Sequence, residues 1–113
     1  MAEGRLKKAS ESPGAAVVRA AIGATELKYL LAELCAGKGV RDNLKMLNCR
    51  GKPNMRRSCP VAIYLRRHGV DNPFVHERRI GGDRVGIATP HEIGYFIEKF
   101  DSAEYPELVD DRS

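Results

Sequence analysis

Tryptophan is absent from this chain, and three phenylalanines and four tyrosines supply all of its aromatic bulk. The core must therefore be built mainly from Leu, Ile, Val and Ala. Long apolar runs are missing too. None approaches the roughly 18–20 residues needed to span a bilayer, so no membrane partner is expected. Cysteine is scarce and odd in number, three in 113 residues. The basic start MAEGRLKK is followed by AAVVRAAIGA, which is short and interrupted by Arg19, while Glu3 and Glu11 count against a transit peptide. A disulfide framework is not expected without a secretory signal. These absences describe a reduced, cytoplasmic, soluble protein.

Catalytic and metal signatures are lacking as well. The soft ligands are Cys35, Cys49, Cys59, His68, His76 and His91, and no two stand closer than eight positions apart. A structural zinc site draws pairs of ligands from one tight turn, so no metal or cofactor is expected. His91-Glu92 opens like H-E-x-x-H, but Tyr95 stands where the second histidine would be. Gly-x-Ser-x-Gly, Gly-x-Gly-x-x-Gly and a Walker-type loop do not occur, and Gly51-Lys52 lacks the preceding glycine and strand of a P-loop. No resemblance to a known family is recognised, and no catalytic residue is assigned.

What is present is charge, unevenly placed. Residues 41–79 carry ten Lys/Arg against three acids, while residues 98–113 carry six acids against Lys99 and Arg112. A basic middle with an acidic end suggests an anionic partner for the middle, or an internal mask supplied by the tail.

A chain of 12.5 kDa holds one core. Residues 1–14 read as a flexible arm, 15–105 as a single α+β domain and 106–113 as an acidic C-terminal tail. Ser12-Pro13 is a plausible helix start. From Thr25 the pattern is plainer, with Leu27, Leu30, Leu31, Leu34 and Cys35 forming one apolar stripe. Gly37 and Gly39 end that helix. A short helix follows at 42–48 with Asp42 as N-cap, then a loop at 49–57 broken by Gly51, Pro53 and Asn54. Ser58 can cap a helix over 59–68, whose Val61, Ala62, Tyr64 and Leu65 face inward. Residues 74–80 and 84–88 flank Gly81-Gly82-Asp83 as a hairpin, because favoured two-residue turns need positive φ. Thr89-Pro90-His91-Glu92 matches a capping box, and Ile93, Phe96, Ile97 and Phe100 continue as a helical stripe. The expected fold is a small α+β domain of three to four helices packed on one antiparallel β-hairpin.

Within this frame the sharpest local feature is Asn48–Pro60, NCRGKPNMRRSCP, which carries no acid. It reads as a flexible basic connection leading into a helix N-terminus, a place that favours anions. Arg50, Lys52, Arg56, Arg57, Arg66, Arg67, Arg79 and Arg84 form the candidate anion or nucleic-acid contact. On a strand Arg78 and Arg79 point to opposite faces, so one of them joins such a patch. The order helix–helix–helix–hairpin also matches a winged helix-turn-helix, with GGD as wing tip and 59–68 as reading helix. The long 49–57 connection and the apolar run Val61–Leu65 oppose that analogy.

The leading functional reading is a non-enzymatic binding or regulatory protein whose basic surface engages an acidic partner, DNA or RNA first. The alternative is a protein–protein interaction module with Phe74, Ile63 or Tyr105 as apolar anchor and no nucleic-acid role. A minor alternative is a cysteine-dependent enzyme using Cys59, which follows Arg56-Arg57-Ser58 at a helix start, where cations and the helix dipole stabilise a thiolate.

Overall fold

The computed structural model describes residues 22–110; the arm and the Ser12-Pro13 helix start lie outside them. Four α-helices and a small antiparallel sheet follow in the order α1 (Ala24–Cys35), α2 (Val40–Met46), α3 (Pro60–Arg67), β1 (Phe74–Val75), β2 (Arg79–Gly81), β3 (Gly86–Ala88) and α4 (His91–Asp101). A single 3-10 turn at Pro106–Leu108 closes the described chain. This is a small α+β domain.

The helical stripes do what their spacing dictates. Leu27, Leu31 and Leu34 of α1, Leu44 of α2, Val61 and Leu65 of α3, and Ile93, Phe96, Ile97 and Phe100 of α4 are buried in one core. Each such side chain contributes about 1.5–3 kcal/mol by leaving water, and no tryptophan is needed to fill the space. Tyr64, also buried, satisfies its hydroxyl by donating to the Leu30 carbonyl at 2.7 Å.

The helix ends are held differently from the sequence expectation. Glu26 reaches back to accept from the Gly23 N–H at 2.9 Å, which starts α1 one residue before Thr25. Asp42 does not cap α2; Gly39 does, at φ 100°, and Asp42 sits in the first turn paired with Arg41. Asn43 then donates to the Leu34 and Ala36 carbonyls at 2.7 and 2.8 Å, satisfying the C-terminus of α1 from the neighbouring helix. At α3 the cap position is Cys59, with no side-chain cap from Ser58.

The expected two-stranded hairpin is a three-stranded sheet, β1–β2–β3. The reason lies in FVHERRI. Val75 and Ile80 are five positions apart, so one continuous strand would send them to opposite faces. Reversing the chain at His76–Arg78 pairs Val75 directly with Ile80 and buries both. Thr89 fixes this reversal. Its hydroxyl donates to the His76 carbonyl at 2.6 Å and its N–H to the Arg78 carbonyl at 3.0 Å. It therefore does not form the capping box; α4 begins after Pro90 with no side-chain cap. The glycines of the β2–β3 turn are also there for another reason than positive φ, which neither Gly81 nor Gly82 adopts. A Cβ on Gly81 would meet the Val85 carbonyl oxygen at 2.0 Å, and one on Gly82 the Asp71 carbonyl oxygen at 2.5 Å.

The 49–57 connection is not a slack linker. Gly51 N–H donates to the Leu108 carbonyl at 3.0 Å, and its own carbonyl accepts from the Asp110 N–H at 2.8 Å. This is a parallel bridge between Gly51 and Val109. Lys52 N–H donates to the Ser58 carbonyl at 2.8 Å, Val75 N–H to the Arg56 carbonyl at 2.9 Å, and Asn54 N–H to Asp101 Oδ1 at 2.8 Å. The domain therefore does not stop at residue 105. Leu108 is 1% exposed, and Val109 packs against the core, so the start of the acidic tail belongs to the fold.

Gly51 is buried, and a Cβ there would lie 2.2 Å from the Ser58 carbonyl oxygen and 2.5 Å from the Cys59 carbonyl carbon. Backbone on that side cannot yield as a flexible side chain would. Gly51→Ala is expected to lower stability by about 3 kcal/mol or more, as overpacking against a fixed wall does. Gly37→Ala, strained only by a φ of 62° with nothing within 4 Å, is expected to cost about 1–2 kcal/mol. Urea denaturation of the two variants checks the order; a harmless Gly51→Ala would contradict the tight approach.

Candidate functional site

The seven arginines among the eight basic residues singled out in the sequence, together with Arg78, divide into two groups. Arg57, Arg66 and Arg67 are exposed but engaged with backbone. Arg67 donates from Nη1 to the Leu47 carbonyl at 2.7 Å and from Nη2 to the Asn48 carbonyl at 3.1 Å. These carbonyls follow the last turn of α2, where a cation also complements the helix dipole. Its Nη1 stands 3.4 Å from Cys49 Sγ as well. Arg66 Nη2 donates to the Arg57 carbonyl at 2.8 Å, and Arg57 Nη1 to the Asn72 carbonyl at 2.9 Å. All three guanidiniums hold the loop to its surroundings.

The second group faces outward. Arg50, Arg56, Arg78, Arg79 and Arg84 are exposed, and among the described residues their guanidiniums make no hydrogen bond or ion pair. Backbone bonds chain several of them together. The Arg56 carbonyl accepts from Val75 in β1, and the Arg79 carbonyl accepts from His76 just beyond it, each at 2.9 Å. The Arg79 side chain runs across to β3, where its Nη2 lies 2.7 Å from the position a Cβ on Gly86 would take. Gly86 thus leaves a lane for that guanidinium toward the turn that carries Arg84. Arg78 is in the β1–β2 turn, not on a strand, so the alternation argument does not remove it. Arg50 and Lys52 stand on either side of Gly51, next to the 108–110 segment.

Beside Arg56 the chain forms a cleft of about 260 Å³ lined by Asn54, Arg56, Cys59, His76, Glu77 and Asp101 among others. Glu77 and Asp101 were not singled out in the sequence, and His76 was named there only as a soft ligand. They come from the sheet turn and the end of α4, and no spacing in the chain announces that meeting. Cys59 forms the floor and is 3% exposed. Burial pushes its thiol up to about 11, against the lowering effect of the Ala62 and Val61 N–H groups at the start of α3. The helix start does act on this cysteine as expected, but desolvation outweighs it, and the neighbouring Asp101 carboxylate adds to the rise. A thiol held protonated in this way carries little of the thiolate that nucleophilic chemistry uses. Among the described residues, no three His, Cys, Asp or Glu side chains are grouped to hold a metal.

No family model, curated protein or solved structure matches this chain. The site's own geometry therefore carries the functional argument. It removes one analogy. Five of the eight residues of α3 are buried (Pro60, Val61, Ala62, Tyr64 and Leu65), and its two arginines are tied to backbone. A reading helix offers an open face with free donors to the major groove; the outer face of α3 is Ile63, Arg66 and Arg67, and both arginines are already engaged with backbone carbonyls. Two of the three apolar anchors expected for a protein interface are partly covered. Ile63 and Tyr105 pack against the core, and Tyr105 stacks on Phe96 with ring centroids 5.3 Å apart. Among the described residues the exposed large apolar side chains are Tyr29, Met46, Leu47, Met55 and Tyr95.

The division of the arginines predicts two classes of variant. Arg67→Ala leaves two carbonyls at the end of α2 without their donor and should cost about 1–3 kcal/mol, whereas Arg84→Ala should stay within about 0.5 kcal/mol. Thermal unfolding of both distinguishes them; equal effects would contradict the division. For Cys59 the folded-state thiol titrates near 11 rather than its ordinary 9.0, so the folded state holds the proton longer than the unfolded state. Its contribution to stability is complete below about pH 9 and is lost as pH rises toward 11. Correspondingly, native Cys59 should resist a thiol reagent at pH 8 that modifies it readily in urea. Equal rates would overturn its burial.

Proposed function

We propose that this protein is a non-enzymatic binding domain that engages an anionic partner, nucleic acid first, through Arg56, Arg78, Arg79 and Arg84. The observation that supports this reading is the separation just described. Arginines needed to hold the fold are spent on backbone carbonyls, while these four are exposed and lack a partner among the described residues. An exposed guanidinium with no intramolecular acceptor keeps its full donor fork for a phosphate.

The mode of binding is backbone contact rather than base reading. Short strands and a tight turn present the cations, the two arginines of α3 are engaged with backbone, and contacts of this kind position a protein on nucleic acid without specifying sequence. Arg57, Arg66 and Arg67 add to the local positive field without donating to the partner. Arg50 and Lys52 stand at the margin of the surface, where the chain's own acidic segment lies.

A short fluorescent DNA, single-stranded and duplex, titrated against the protein tests this. With about four phosphates neutralised, affinity should fall about a hundredfold between about 50 and 200 mM salt. Replacing Arg56, Arg79 and Arg84 together by alanine should remove most of the binding and flatten that salt dependence, with the fold intact. Binding left unchanged by the triple variant, or absent in the native protein at low salt, would refute the proposal.

A further inference from the structure

The cleft beside Arg56 carries more charge than the fold uses. Its walls bring together Arg56 from the loop, His76 and Glu77 from the β1–β2 turn, and Asp101 from the end of α4. Asp101 Oδ1 accepts from the Asn54 N–H at 2.8 Å, while its second oxygen has no partner among the described residues. The Glu77 carboxylate and the Arg56 guanidinium are exposed, and among the described residues they form no ion pair, either with each other or, for Arg56, with Asp101. Opposite charges thus line one small space without neutralising one another. The walls are anchored, because the Arg56 carbonyl accepts from the Val75 N–H at 2.9 Å and Asp101 holds Asn54. Cys59, Val75 and Ile97, each at most 5% exposed, close the floor with apolar surface.

A phosphate inside this cleft is opposed by two carboxylates, and a simple cation is opposed by Arg56. A molecule that carries both charges satisfies the walls together, with its carboxylate on the guanidinium and its ammonium at the acids. Drug-sized ligands fill about 300–1,000 Å³, so a space of about 260 Å³ suits a smaller one. We propose that this cleft binds a free α-amino acid with a small apolar side chain. Arg56 takes the carboxylate, Asp101 and Glu77 take the ammonium, and the side chain rests on Cys59, Val75 and Ile97. The site goes beyond the nucleic-acid reading and shares only Arg56 with it.

Amide NMR of the full chain, titrated with L-valine at constant pH and salt, tests this, with L-alanine and L-methionine as size variants. The signals of Asn54, Val75, His76 and Glu77 should shift and saturate in the millimolar range or below. N-acetyl-L-valine lacks the ammonium and L-valinamide lacks the carboxylate, so each should bind at least about tenfold more weakly. Glu77→Gln and Arg56→Ala, both at exposed positions, should each weaken L-valine by about the same factor with the fold intact. Lys38→Ala, which removes an exposed cation outside the cleft, should leave it unchanged. No shift with any of the three amino acids would refute the site, as would equal binding of the blocked compounds or a Glu77→Gln variant that binds like the native protein. DNA binding is measured apart from this. A protein that binds DNA but no amino acid loses the site and keeps the basic surface, and the reverse result supports the site and overturns the proposed function.

Discussion

Gly51 is the point on which the arrangement depends. Its missing side chain lets three stretches of backbone meet: the loop itself, the entry to α3 at Ser58–Pro60, and the segment after the 3-10 turn. A buried backbone must satisfy its polar groups somewhere, and here both groups of Gly51 find partners in residues 108–110. The chain end is thus tied to its middle. That tie also lays residues 108–110 beside the middle of the basic loop.

From this follows the difference between two uses of arginine. The loop turns sharply, with Asn48 and Asn54 in the left-handed region at φ 55° and 62°. Such a path leaves carbonyls pointing outward, and Arg66 and Arg67 collect them, while Arg57 reaches from the loop to the Asn72 carbonyl. Planar guanidiniums suit this work because each offers several donors in a fixed fork. The arginines of the sheet and its turns have no comparable task. Counting positive residues along the sequence merges these two populations, although only one has its donors available to a partner.

Much of the fold was legible. The stripes of α1 and α4 and the inward residues of α3 are set by a 3.6-residue period that tertiary context did not alter. The ends were less so, because several capping groups come from elsewhere: Asn43 closes α1, and Thr89, a strong local capping signal, is drawn to the His76 carbonyl instead. FVHERRI looked like one strand because seven residues invite a single element. The five-residue offset between Val75 and Ile80 held the clue to the reversal. Leu108 was lost among acids, since one leucine carries no period. The candidate cations were visible as a list, but their division was not. Whether an arginine is engaged depends on which carbonyls approach it, and those lie up to 20 positions away in the chain.

The arrangement of the basic residues depends on the loop being a fastened part of the fold. Amide hydrogen exchange measures this directly at four places: the N–H groups of Gly51, Lys52, Val75 and Asp110, which donate to Leu108, Ser58, Arg56 and Gly51 respectively. The fastened loop predicts that all four exchange as slowly as amides in the buried half of α4, through global opening. Exchange of Gly51 and Asp110 at the rate of an open peptide, with α4 still protected, would contradict it.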